Sequence, residues 1–207
     1  MNLASLREHP YSPSQNLAVL LMTLLGTTLI AVIFWLNGWL TLGENSALEL
    51  AQATLLILAS LLHGERAWRF KIASLEGLIH AGLALLTYSF ALRELEIDQF
   101  GASEFWAHLE NTLRLIGFTL WAGLLIVLMW RIKLIFDNRW LILALPVMQL
   151  TLWGGFFYIA SWPFDKALFA ALSPAGSEFI EEVLELNACI FLFFASLAKS
   201  SNQRRCA

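Results

Sequence analysis

The chain has 207 residues, is 58% hydrophobic and only 14% charged, and carries a formal net charge of −3, with a mean hydropathy of +0.67. Apolar runs near membrane-spanning length, almost without a polar face at helical period, exclude an ordinary soluble domain and predict an all-α, polytopic membrane protein. The two cysteines, Cys189 and Cys206, form neither a disulfide framework nor metal-ligand spacing, and no basic patch interleaved with aromatics points to nucleic acid.

Residues 1–16 read as a polar cytoplasmic lead. The first predicted helix, 17–40, has no charge between Glu8 and Glu44 and places Trp35 and Trp39 where interfacial aromatics are expected. It is too long for the apolar core of a signal peptide and should remain in the membrane. A second helix, 46–63, is tight, since only 20 residues separate Glu44 from Glu65. Glu49 therefore falls about 7 Å inside its entry point. The third, 74–95, has an uncharged stretch of 16 residues from Gly77 to Leu92, about 24 Å long and short of a full span. Either Glu76 or the Arg93-Glu94 pair must then sit at or below a membrane boundary.

An acidic loop with a short surface helix near 103–110 should lead to the fourth helix, 112–132. The fifth, 140–160, contains Pro146 and Gly154-Gly155 and is expected to kink. The sixth, 177–199, leads to a cytoplasmic tail at 201–207. These segments predict one six-helix transmembrane bundle within 17–200, surrounded by the lipid bilayer of a plasma membrane or bacterial inner membrane.

Placing both termini in the cytoplasm puts ten basic residues inside (Arg7, Arg66, Arg69, Lys71, Arg131, Lys133, Arg139, Lys199, Arg204, Arg205) and three outside (Arg93, Arg114, Lys166). That asymmetry follows the positive-inside rule. The acids sort the other way, with 12 of 16 in the outer half. Acids contribute little to topology, so their excess calls for another explanation.

The last helix concentrates the question. Only 13 uncharged residues lie between Glu185 and Lys199, about 20 Å of helix against a hydrocarbon core of about 30 Å. Glu185 would lie roughly 10 Å below the outer boundary. Glu178, Glu181, Glu182 and Glu185 follow the i, i+3, i+4, i+7 spacing of one helix face. Glu44 and Glu49 on the second helix and Arg93-Glu94 on the third should reach the same leaflet, with Gln52 and Asn187 adding polar character.

Glu49, Gln52, Arg93, Glu94, Glu181, Glu182 and Glu185 are thus the candidate ion- or proton-binding residues. Three uses compete: a structural ion-pair network in a subunit that binds a larger membrane-protein partner, a site for small proton- or cation-coupled transport, and a divalent-metal site in an embedded enzyme acting on a lipid or small substrate. Glu-rich sites without histidine suit Mg²⁺, Ca²⁺ or Mn²⁺ better than zinc. His9, His63 and His80 fall on the inner side, and His108 is the histidine placed to reach the outer acids. His63 and His80 are expected to be poorly matched in depth, and His80 is expected to bond locally to Glu76. No nucleophile elbow, phosphate-binding loop or HExxH motif occurs.

Overall fold

The computed structural model describes residues 13–40, 46–101, 103–166, 168–169 and 171–198. Among them the chain is all-α, with no strand. The helices are α1 (Pro13–Leu36), α2 (Ala47–Phe70), α3 (Leu75–Glu94), α4 (Glu104–Trp130), α5 (Ile132–Asp137), α6 (Arg139–Ala144), α7 (Pro146–Asp165) and α8 (Pro174–Leu197), with a 3₁₀ turn at Ile97–Phe100 between α3 and α4. Four of them, α1 to α4, are long and apolar enough to cross a membrane. α7 and α8 are 20 and 24 residues long, but polar residues dilute both. Gln149, Thr151, Tyr158 and Ser161 interrupt α7, and four carboxylates interrupt α8.

Several boundaries differ from those expected, each for a local reason. The segment near 103–110 is not a separate surface helix. Ser103 caps the start of α4, its Oγ accepting from the Phe105 amide, and α4 then runs unbroken for 27 residues. The predicted 140–160 helix is broken rather than kinked. Leu145 is extended (φ −66°, ψ 135°) and Pro146 opens α7 at its first turn, because proline disfavours helical geometry in the preceding residue and donates no hydrogen bond. α2 runs past His63 to Phe70.

α2, α3, α7 and α8 form the packed centre, with the broadest contacts between α2 and α3 and between α7 and α8. α8 is the axle: every residue from Glu185 to Leu192 is buried, so it is enclosed on all sides rather than along a stripe. Close approach at α7 depends on Gly154, where a Cβ would lie 3.1 Å from the Ala188 carbonyl oxygen and 3.1 Å from Leu192 Cγ. α1 touches α8 through Leu20, Leu24 and Ala31, and Trp35 stacks on Phe179 with centroids 4.6 Å apart. α4 leans on α3, where the Tyr88 hydroxyl donates to the Leu113 carbonyl and Trp121 Nε1 donates to Ser89 Oγ.

The outer faces of α1 and α4 expose Met22, Leu25, Leu29, Phe118, Leu125 and Met129 among other large apolar side chains. Soluble monomers rarely show contiguous apolar surface on that scale.

The α2–α3 hairpin determines which polar residues meet. Its turn is tight: Lys71 adopts φ 61°, a region few non-glycine residues occupy, and its carbonyl accepts from the Ser74 amide at 2.9 Å. Gly77 is required there, since a Cβ would sit 2.2 Å from the Lys71 oxygen. In this register His63 and His80 lie equally far from the turn, as do Glu49 and Glu94.

Candidate functional site

The carboxylates meet where α2, α3, α7 and α8 converge. Glu94, Glu182 and Glu185 are 6%, 9% and 4% exposed, too little for water to solvate three charges. Arg93, at the end of α3, places Nη2 2.5 Å from Glu185 Oε1, and its Nε lies 3.6 Å from Glu94 Oε1. The guanidinium also sits 5.5 Å from the centre of the Tyr158 ring. α7 completes the arrangement. Ser161 Oγ lies 3.1 Å from Glu185 Oε1 and 2.8 Å from the Tyr158 carbonyl, its single proton serving one of them at a time. The Tyr158 hydroxyl is 3.5 Å from Glu94 Oε1 and 3.3 Å from Cys189 Sγ.

Glu182 points another way. Gln52 of α2 is fully buried, and its Nε2 donates both to Glu182 Oε2 at 2.8 Å and to the Glu182 carbonyl at 2.9 Å. Among the described residues no cation contacts Glu182. The other end of the same amide, Gln52 Oε1, is a buried acceptor without a donor. One turn deeper, Asn187 Nδ2 donates to Thr28 Oγ1 at 3.2 Å, and Asn187 Oδ1 likewise has no donor.

The remaining candidates sit at the margin. Glu49 is the third helical residue of α2 and closes a capping box with Ser46: the Ser46 amide donates to Glu49 Oε2 at 3.1 Å, and the Glu49 amide donates to Ser46 Oγ. This satisfies the first amides of the helix while leaving Glu49 within electrostatic reach of Glu94 and Glu182. Glu181 is half-buried and shares the field of Glu185, Asp165 and Arg93. Glu44 lies outside the described residues. The four acids of α8 therefore do not act as one stripe. Glu182 faces α2, Glu185 faces α3 and α7, and Glu178 and Glu181 are half-buried nearer the start of α8.

No group of three histidine, cysteine or acidic side chains converges as a metal site among the described residues. Tyr158 and Ser161 were not among the sequence candidates. The sequence signal for them is weak, two hydroxyl residues one turn apart toward the C-terminal end of α7.

The histidines correct the expectation drawn from helix depth. His63 and His80, 1% and 3% exposed, face each other with Nδ1 atoms 2.9 Å apart. His80 turns to His63 instead of to Glu76. The extension of α2 to Phe70 and the turn at Lys71 bring the two rings level. Phe70 stacks on His80, and Arg66, one turn beyond His63, donates from Nη1 to the Ala198 carbonyl at the end of α8. His108 is exposed on α4.

Comparison with protein families, with curated proteins and with solved structures finds no match to this chain.

Proposed function

We propose that the chain is a six-span membrane protein, with both termini cytoplasmic, whose outer carboxylates take up a proton or a small monovalent cation as part of transport. The observation that carries this reading is the charge imbalance around Glu182. Three carboxylates are buried together, one guanidinium touches two of them, and Glu182 has only a neutral amide beside it. An unpaired buried charge costs several kcal/mol, on the order of what breaking a buried ion pair costs. A proton or a cation at Glu182 removes that cost, and the unpartnered Gln52 Oε1 supplies a further oxygen beside it.

The Arg93–Glu185–Ser161 contacts are accounted for as a lock between α3, α7 and α8, so the exchangeable site is assigned to Glu182 and Gln52, with Glu49 and Glu94 near it. The divalent-metal enzyme has less support, since no three histidine, cysteine or acidic side chains are placed to hold one ion among the described residues. The span count rests on α8 staying beside α2 from the Gln52–Glu182 contact to the Arg66–Ala198 contact and beside α7 from Ser177–Phe164 to Gly154–Ala188, and the orientation on the ten-to-three distribution of basic residues.

The test is ion movement by the purified chain in liposomes containing a trapped pH dye, driven by a potassium diffusion potential, together with thermal unfolding in Na⁺, K⁺ and Mg²⁺. A ligand bound only by the folded state raises its stability. Proton or cation flux in the wild type, lost in Glu182→Gln while that variant stays folded, supports the proposal. A wild type without flux and without an ion-specific stability shift refutes it and leaves a structural subunit.

A further inference from the structure

We propose that His63 and His80 form a proton-transfer pair at the inner end of the bundle, passing on protons that enter at the carboxylates. The inference rests on the reading above, and it adds the transported species and the residues of the inner site. It begins from geometry. An Nδ1–Nδ1 distance of 2.9 Å is that of a direct hydrogen bond, and such a bond requires unlike tautomers. One ring carries its proton on Nδ1 and leaves Nε2 bare. The other accepts at Nδ1 and carries its proton on Nε2.

This asymmetry gives the pair an entrance and an exit. A proton binds the bare Nε2 of the donor ring, the Nδ1 proton crosses to the partner, and the partner releases its Nε2 proton. One proton enters and one leaves, no other bond changes, and the two tautomers are exchanged. Renewed transfer in the same direction requires the rings to turn. Arg66 is the charged group whose field reaches both rings, with Phe70 stacked on His80 and α8 supplying no charged neighbour among the described residues.

The position suits a relay. Along α2, Gln52 and His63 are eleven residues apart, and along α3, His80 and Glu94 are fourteen apart, so the two polar layers are separated by about 16–21 Å. The histidines join α2 to α3, and the carboxylate layer joins the same two helices to α8. Between them Leu56 and Leu192 of one core cluster and Leu83 of a second are almost fully buried, with Thr87 fully buried among them and its hydroxyl bonded to the Leu83 carbonyl. A mainly apolar stretch between two proton-binding layers conducts only when water enters, which is the behaviour of a hydrophobic gate.

The full chain in the same dye-loaded liposomes tests this with His63→Gln, His80→Gln and His108→Gln. Glutamine can hold a hydrogen bond but cannot shuttle a proton, so proton flux is expected to fall at least about tenfold, the 1.4 kcal/mol step, in the first two. His108→Gln should conduct as the wild type does. Nitrogen-15 NMR of histidine-labelled wild type in vesicles adds a readout independent of any variant's folding. Exchange between the two tautomers supports transfer, whereas one fixed Nδ1 donor and one fixed acceptor overturns it. Full flux in both histidine variants, with flux still lost in Glu182→Gln, overturns this inference alone and leaves the pair as a pin between α2 and α3. Absence of flux in the wild type overturns the carboxylate reading and this one together.

Discussion

Arg93→Gln is the most informative single change, because it separates a pinned charge from an exchangeable one. The substitution strands two carboxylates, Glu94 and Glu185, that are 6% and 4% exposed. Breaking a fully buried ion pair costs roughly 3–5 kcal/mol. The Arg93 side chain is itself 53% exposed, so solvent screens part of that loss and about 1–3 kcal/mol is expected. For a chain of this size the melting temperature falls by about 2–4 °C per kcal/mol. Glu185→Gln alone should cost less, since the amide oxygen still accepts from the guanidinium and from Ser161. In the double variant Glu185→Gln removes one stranded charge, so the two losses should fall short of additivity by about 0.5–3 kcal/mol. The deficit of Arg93→Gln should shrink as pH is lowered, because protonating the stranded carboxylates removes the charge that lost its partner. Thermal unfolding in detergent measures all four proteins. If Arg93→Gln melts with the wild type, or the two losses simply add, the lock between α3, α7 and α8 is not what Arg93 provides.

Two glycines side by side provide a packing test. Gly154→Ala forces a Cβ against Ala188 and Leu192 and should cost roughly 1–3 kcal/mol by overpacking. Gly155→Ala meets nothing within 4 Å and should be neutral or stabilise by up to about 1 kcal/mol through helix propensity; unfolding midpoints report both. The topology is tested at Lys166, exposed after α7. In intact cells Lys166→Cys should react with a membrane-impermeant maleimide added from outside, and protection until the membrane is opened would contradict six spans with cytoplasmic termini.

Much of the architecture was legible because it depends on residue counts. Runs without charge locate the long helices, and the shortage of apolar residues after Glu185 forces carboxylates inward whatever they touch. Arg93 was the basic residue near those acids, and the structure brings it to Glu185 and Glu94. What stayed hidden depends on rotation and register. Helical spacing put Glu182 and Glu185 on one face, yet a few tens of degrees of rotation send one to Gln52 and the other to Arg93. The His63–His80 contact needed the length of α2 beyond His63 and the geometry at Lys71, neither of which hydropathy reports. The break at Leu145 was nearer to hand. Pro146 inside an apolar run points to a kink, but proline is also a favoured first residue of a new helix.

The enclosure of α8 bears on how such a chain is made. α1 to α4 are apolar enough to partition into a bilayer individually. α8, with Glu178, Glu181, Glu182 and Glu185 in its first half, is not. What α8 finds in place of lipid is protein: Gln52 on α2, Arg93 on α3, and Ser161 and Gly154 on α7. On the six-span reading proposed above, its entry would be conditional on helices synthesised before it, and a nascent chain with a faulty α2–α3 hairpin would leave α8 stranded at the membrane surface. On that reading completion of the bundle and completion of its polar centre would be a single event, and the carboxylates of α8 would enter the bilayer only with their partners already in place.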